Sequence, residues 1–135
     1  MSQHDLDVVR RACEAWASGD LDAWLEMLHP DIVWDSTRFG GWEEGRRYRG
    51  LEQVRSFLTD EWRAAWKSYE ARVEEVADVG DQVLVLWWQR MVDANDEAPI
   101  AVKSAQLCSV RDGKIIHIDN FVDRAEAMEA SGANR

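Results

Sequence analysis

The chain has 135 residues, enough for one domain with a core of its own. Hydrophobic residues make up 46% and charged residues 31%, which excludes a disordered chain. Sixteen basic against twenty-six acidic side chains give a net charge of −10, which argues against nucleic acid and against an anionic membrane surface as partners.

In chain order, Leu6, Val9, Cys13 and Trp16 recur at helical spacing, with Ala12 and Ala17 beside them. Gly19 is placed to end this first helix as a left-handed residue, and Asp20 to cap the next. Leu21, Trp24, Leu25 and Leu28 mark one face of a short second helix that Pro30 terminates, with His29 closing its last carbonyls. Residues 31–36 then read as a strand around Ile32, Val33 and Trp34. Residues 37–48 read as a loop, with Gly40, Gly41 and Gly45 among Arg38, Phe39, Trp42, Arg46, Arg47 and Tyr48; Glu43 and Glu44 are the expected partners of its arginines.

After Gly50, a third helix aligns Leu51, Val54, Phe57, Leu58 and Trp62 on one face, which Trp66 extends. From Tyr69 the period changes to two, giving strands at about 69–78, 82–93, 98–111 and 114–122. Gly80-Asp81 and Asp112-Gly113 supply turns, the second a hairpin signal. Residues 125–130 read as a short terminal helix. Without repeats or linkers, residues 1–135 form one domain of α+β class: helices gathered on one face of a long antiparallel sheet. If the sheet curls, its concave side and the helices enclose a cone whose open end is a pocket.

The residues supply further boundaries. Eight tryptophans stand where average composition predicts about two, too many to lie exposed without inviting association. Cys13 and Cys108 read as buried thiols, not a disulfide or metal ligands. No spacing resembles a zinc or other metal site, and no cofactor is expected. Met1 to Arg11 carries no basic stretch ahead of an apolar run, and no segment reaches membrane-spanning length, so a cytoplasmic protein is the expectation.

Three runs together resemble a known family: Gly19-Asp20; Leu28-His29-Pro30-Asp31-Ile32-Val33-Trp34; and Tyr48-Arg49-Gly50-Leu51-Glu52-Gln53-Val54. With Asp112-Gly113-Lys114-Ile115 and Phe121-Val122-Asp123-Arg124-Ala125-Glu126-Ala127, they are similar to the SnoaL-like family of the nuclear transport factor 2-like superfamily. The resemblance implies a cone-shaped, strongly curved antiparallel sheet wrapped around N-terminal helices, and a homodimer through the outer sheet face. It implies a pocket for a small apolar, oxygenated molecule of polyketide, terpenoid or steroid type. The fold hosts isomerases, cyclases, hydrolases and plain binding proteins, so function has to come from the site.

By analogy with ketosteroid isomerase, Trp34 and Ser36 point inward and Asp35 outward. The inward sets on the later strands are then Trp87, Gln89 and Met91; Ser104, Gln106 and Cys108; and Ile118, Asn120 and Val122. Where that enzyme carries its catalytic Asp, this chain has Ser36; its oxyanion-hole Asp and Tyr match Gln106 and Ala12. The charged triad of limonene-epoxide hydrolase falls on Gln89, Trp87 and Asn120. Both reactions are therefore disfavoured.

What remains is a pocket expected to be lined by Trp34, Ser36, Phe39, Phe57, Trp62, Trp87, Gln89, Met91 and Cys108, with Gln106, Asn120 and Asp123 as the candidate catalytic groups. The amides either polarise a ligand oxygen or satisfy one another. Asp123 either moves a proton or caps the last helix. His117 falls on the outer face beside Asp119. Three readings stay open: a cofactor-independent enzyme, a non-catalytic binder of a hydrophobic ligand, or a dimerisation domain whose apolar outer patch is Leu84, Leu86 and Trp88.

Overall fold

A computed structural model describes residues 2–38, 46–95 and 98–131. Helix α1 (Gln3–Ser18) is capped by Ser2, whose side chain accepts the Asp5 N–H at 3.1 Å, and it ends at Gly19, where φ is 82°. Only a residue without a β-carbon takes that angle without strain. Asp20 accepts the Ala23 N–H at 3.1 Å and caps α2 (Leu21–Glu26). Gly19 and Asp20 stand where the sequence places them.

Strand β1 (Leu28–Arg38) begins directly after Met27, and Pro30 lies inside it rather than ending the helix. His29 does not close α2. Its Nδ1 accepts the Asp31 N–H at 3.0 Å, and Lys114 Nζ donates to the Glu26 carbonyl instead. Part of the expected loop is strand: β1 runs to Arg38, and β2 (Arg47–Arg49) pairs antiparallel with it, Trp34 opposite Tyr48. Phe39, Trp42, Glu43 and Glu44 lie outside the described residues.

Helix α3 (Gly50–Ser56) widens into a π-helical turn over Phe57–Trp62, then tightens to a 3₁₀ turn over Arg63–Ala65. Trp66 therefore does not extend the helix; it opens strand β3 (Trp66–Asp78). Strands β4 (Val83–Asp93), β5 (Pro99–Arg111) and β6 (Lys114–Phe121) follow as an antiparallel meander. Asp112 and Gly113 both take positive φ, 54° and 75°, the geometry of a two-residue hairpin turn. Helix α4 (Arg124–Ser131) closes the described chain.

The described strands form one six-stranded sheet in the order β2-β1-β6-β5-β4-β3. It is mixed, not wholly antiparallel, because β1 lies parallel to β6. No hairpin fixes the direction of two strands so far apart in sequence, and a parallel pair needs such a long connection. Alternation sorts the side chains onto two faces. The inner set, including Trp34, Val83, Val85, Trp87, Cys108 and Ile118, packs on Val8, Val9, Ala12 and Cys13 of α1 and on Val54, Phe57 and Leu58. A bulge between Val73 and Glu75 lets both Val73 and Val76 pack inward, a break of the period-two pattern.

The outer set is a separate cluster: Leu84, Leu86, Ala105, Leu107 and Phe121, covered by Ala127 and Met128 of α4. Part of the patch expected to be open to a second copy is thus covered by this chain's own last helix. Arg124 holds that helix down. It pairs with Glu74 and donates to two strand carbonyls, Ser104 O at 3.2 Å and Trp87 O at 2.6 Å. Trp88, the third residue of the patch, lies under the Arg72 guanidinium, 4.2 Å from its ring centroid.

Candidate functional site

The interior of the cone is filled by indoles. Trp16 sits at the centre, with ring centroids 5.0 Å from Trp24, 6.1 Å from Trp34 and 5.2 Å from Trp62. Phe57 closes one side, 6.3 Å from Trp34 and stacked on Tyr48 at 4.2 Å. These offset and edge-on arrangements suit aromatic quadrupoles and leave little space between rings. Beside Trp87, Gln106 and Cys108 only about 10 Å³ is empty, room for one water at most.

The inward polar groups tie to each other in two chains. In the first, Trp16 Nε1 donates to Tyr69 Oη at 2.9 Å, Tyr69 donates to Gln89 Oε1, and Gln89 Nε2 donates to Ser104 Oγ at 2.6 Å. In the second, Trp87 Nε1 donates to Gln106 Oε1 at 2.9 Å, and Gln106 Nε2 to Asn120 Oδ1 at 2.8 Å. Asn120 Nδ2 ends that chain on the Asp35 carbonyl at 3.2 Å. Buried amides linked in this way fix one another's orientation and hold neighbouring strands in register. Trp34 Nε1 and Trp66 Nε1 are exceptions, both buried with no hydrogen-bond partner among the described residues.

The open space lies at the mouth of the cone. A cleft of about 280 Å³ runs between the end of α1, the π turn and β3. Trp16, Trp62 and Tyr69 form its aromatic wall: Trp62 meets Tyr69 edge-on at 4.6 Å, and Trp16 meets Tyr69 edge-on at 6.2 Å. Ala17, Leu21, Leu58 and Ala71 add apolar surface, and Arg63 with Thr59 supplies the polar part. Ala17 is exposed there, not packed in the core as its place on α1's apolar side suggested.

Of the residues expected to line a pocket, Trp62 lines this cleft. Trp87, Gln106 and Cys108 border the small void, and Trp34 and Ser36 are buried. Phe57 borders a shallow outer depression beside Tyr48, and Met91 is buried opposite Tyr69 and Ile100. Phe39 lies outside the described residues. Val122 leaves the strand and is 42% exposed. Asp123 is exposed, and its carboxylate accepts the Ala125 N–H at 2.8 Å at the start of α4, a capping geometry. Tyr69, Leu21, Ala71 and Arg63 were not expected. Tyr69 and Trp62 stood out as aromatics flanking a helix-to-strand change; nothing in the sequence marks Arg63.

The outer face carries the ionised groups. Burial alone raises the Asp35 carboxyl, but Thr37 N and Oγ1 at 3.0 and 2.6 Å, with Arg47, outweigh it and hold the group below its usual 3.8. Arg47 Nη2 lies 3.0 Å from Asp35 Oδ2. His117 is on this face as expected, with Nε2 3.7 Å from the same Asp35 oxygen. Arg46 pairs with Glu61 at 3.7 Å, so the loop arginines find Asp35 and Glu61 as partners. Among the described residues no cluster of His, Cys, Asp and Glu is suited to a metal, and no helix is long and apolar enough to cross a membrane.

Cys13 and Cys108, 95 positions apart in sequence, border the same void. Burial pushes the Cys13 thiol up to about 12, with Glu14 adding to it, and burial then Cys13 raises Cys108 well above 9.0. Neither thiol is expected to react with a disulfide reagent at pH 8 in the native protein, and both react once the chain is unfolded. Unfolded thiols lose protons from about pH 9 while the folded ones keep them, so stability falls as pH rises above 9. The urea midpoint is expected to drop between pH 8 and 10, and to drop less in a Cys13→Ala/Cys108→Ala variant.

Comparison with known proteins agrees with this architecture. The SnoaL-like domain family model matches residues 9–118, and the chain belongs to that family. No curated protein matches the chain. Among solved structures it resembles an NTF2-like protein of unknown function from Burkholderia pseudomallei, with 22% identity, TM-score 0.75, and coverage of 96% of this chain and 97% of that one. It also resembles TerC, co-crystallised with polyporic acid, with 16% identity, TM-score 0.75, and coverage of 96% and 99%. A third is RV0760c from Mycobacterium tuberculosis in complex with estradiol-17beta-hemisuccinate, with 16% identity, TM-score 0.73, and coverage of 92% and 97%. At these identities the likeness is one of fold.

Proposed function

We propose that this protein binds a small, largely apolar organic molecule in the cleft at the mouth of the cone. The observation that carries this reading is the 280 Å³ space walled by Trp16, Trp62 and Tyr69, where Tyr69 meets both indoles edge-on and accepts a hydrogen bond from Trp16. A preformed apolar space with few polar groups is the usual form of a ligand site. Two fold relatives are named in complexes with organic ligands, which supports the same use of the fold.

Binding without chemistry fits the lining better than catalysis. Among the described residues the cleft holds no carboxylate or imidazole, so proton abstraction from carbon lacks its usual base. Gln106 and Asn120 are bonded to each other and to neighbouring groups, which makes them part of the scaffold on this reading.

The test is quenching of tryptophan fluorescence by mono- and bicyclic aromatic compounds, with Ala17→Phe as the blocked variant. Ala17 is exposed at the rim, so the larger ring fills the cleft with little effect on folding. Saturable quenching of the wild type, weakened roughly tenfold or more by Ala17→Phe, is expected. A wild type that no such compound quenches would end the proposal.

A further inference from the structure

Resting on that reading of the cleft, we propose that its ligand carries an anionic oxygen, such as a carboxylate or enolate, that docks on Arg63. The apolar part beside it is of about one or two fused rings. Arg63 begins the 3₁₀ turn directly after Trp62, so the backbone sets this exposed residue in the cleft lining beside the aromatic wall. Among the described residues lining the cleft, Arg63 is the one charged side chain. Arg63 makes no ion pair with a described carboxylate, and the cleft lining offers it none. A guanidinium beside apolar surface presents a fork of donors that suits a carboxylate, and charge-assisted bonds gain strength where water is partly excluded.

Two other ligand charges fit less well. Rings grouped as Trp16, Trp62 and Tyr69 also suit a cage for a quaternary ammonium, but a cation there meets the like charge of Arg63 in the same lining. A neutral ligand leaves the guanidinium without a partner inside the site. The net charge of −10 disfavours anions at long range, so selectivity for one has to come from a local cation such as this. The volume sets the size, since 280 Å³ lies at the lower end of the roughly 300–1,000 Å³ common for ligand pockets.

Three probes of one shape separate these cases: 2-naphthoate, 2-naphthalenemethanol and (2-naphthylmethyl)trimethylammonium, titrated by tryptophan quenching against wild type, Arg63→Gln and Arg55→Gln. Arg55 is an exposed arginine of α3 outside the cleft lining. Naphthoate is expected to bind the wild type roughly tenfold or more tighter than the alcohol. Arg63→Gln is expected to bring naphthoate to the level of the alcohol while leaving the alcohol unchanged, and Arg55→Gln to change neither. Equal binding of naphthoate and alcohol, a preference for the ammonium, a preference that survives Arg63→Gln, or an equal loss in Arg55→Gln overturns the assignment to Arg63 and leaves the cleft reading standing. Failure of all three probes to bind overturns the cleft reading and the anion proposal with it.

Discussion

Trp16→Ala is expected to destabilise the protein by about 3–5 kcal/mol, the range for removing a large aromatic side chain from a packed site. Trp16 is central to the aromatic interior: the ring centroids of Trp24, Trp34, Trp62 and Tyr69 all lie within 6.2 Å of its own. It also separates the 280 Å³ cleft from the 10 Å³ void, since it lines both. Its removal joins them and opens the interior to water. Tyr69 loses the Trp16 N–H, and the hydrogen-bond chain through Gln89 to Ser104 loses its first member. A fall in melting temperature of about 10–20 °C follows for a chain of this length, together with loss of aromatic-ligand quenching. Trp16→Phe keeps most of the ring area and is expected to cost less, the difference reporting the hydrogen bond. A Trp16→Ala variant that melts within a few degrees of wild type would show that the rings do not carry the fold.

Gln106→Leu is the second large effect expected, at about 2–4 kcal/mol. The glutamine joins two partners, so its loss strands both the Trp87 indole N–H and the Asn120 amide oxygen in the interior. Each buried group left without a partner costs about 1–3 kcal/mol. Only about 10 Å³ lies beside Gln106, room for one water at most to take its place. Chemical denaturation compares this variant with Gln106→Leu/Trp87→Phe, in which the stranded donor is removed as well. The double variant is expected to recover part of the loss, a coupling that a double-mutant cycle measures. If ligand binding in the cleft survives in the folded Gln106→Leu protein, Gln106 acts as scaffold and not as a ligand contact. Loss of binding with stability unchanged would instead return it to the functional site.

Local signals in the chain were decisive where one short segment controls the outcome. Asp20 and Gly19 cap helices because the donor and the left-handed angle they serve lie within a few residues. Asp112-Gly113 makes its hairpin for the same reason. Period-two alternation placed Trp87, Gln106, Cys108 and Asn120 on one face because a pleated strand leaves no other choice once its register is set. The family, too, was legible in the order and spacing of short motifs, as the match over residues 9–118 bears out.

Tertiary structure decided the rest, because packing depends on where distant segments meet. The parallel pairing of β1 with β6 has no local code, and neither does the folding of α4 across Leu84 and Leu86. The tryptophans announce an aromatic interior, expected from the sequence to line a pocket. Sizes summed along a sequence do not reveal how rings tilt against each other, and among the described residues the indoles pack together in the centre with a cleft at the mouth. Arg63 looked like any surface arginine of an acidic chain. It lines the cleft because the π turn ends directly before it, next to Trp62 of the aromatic wall.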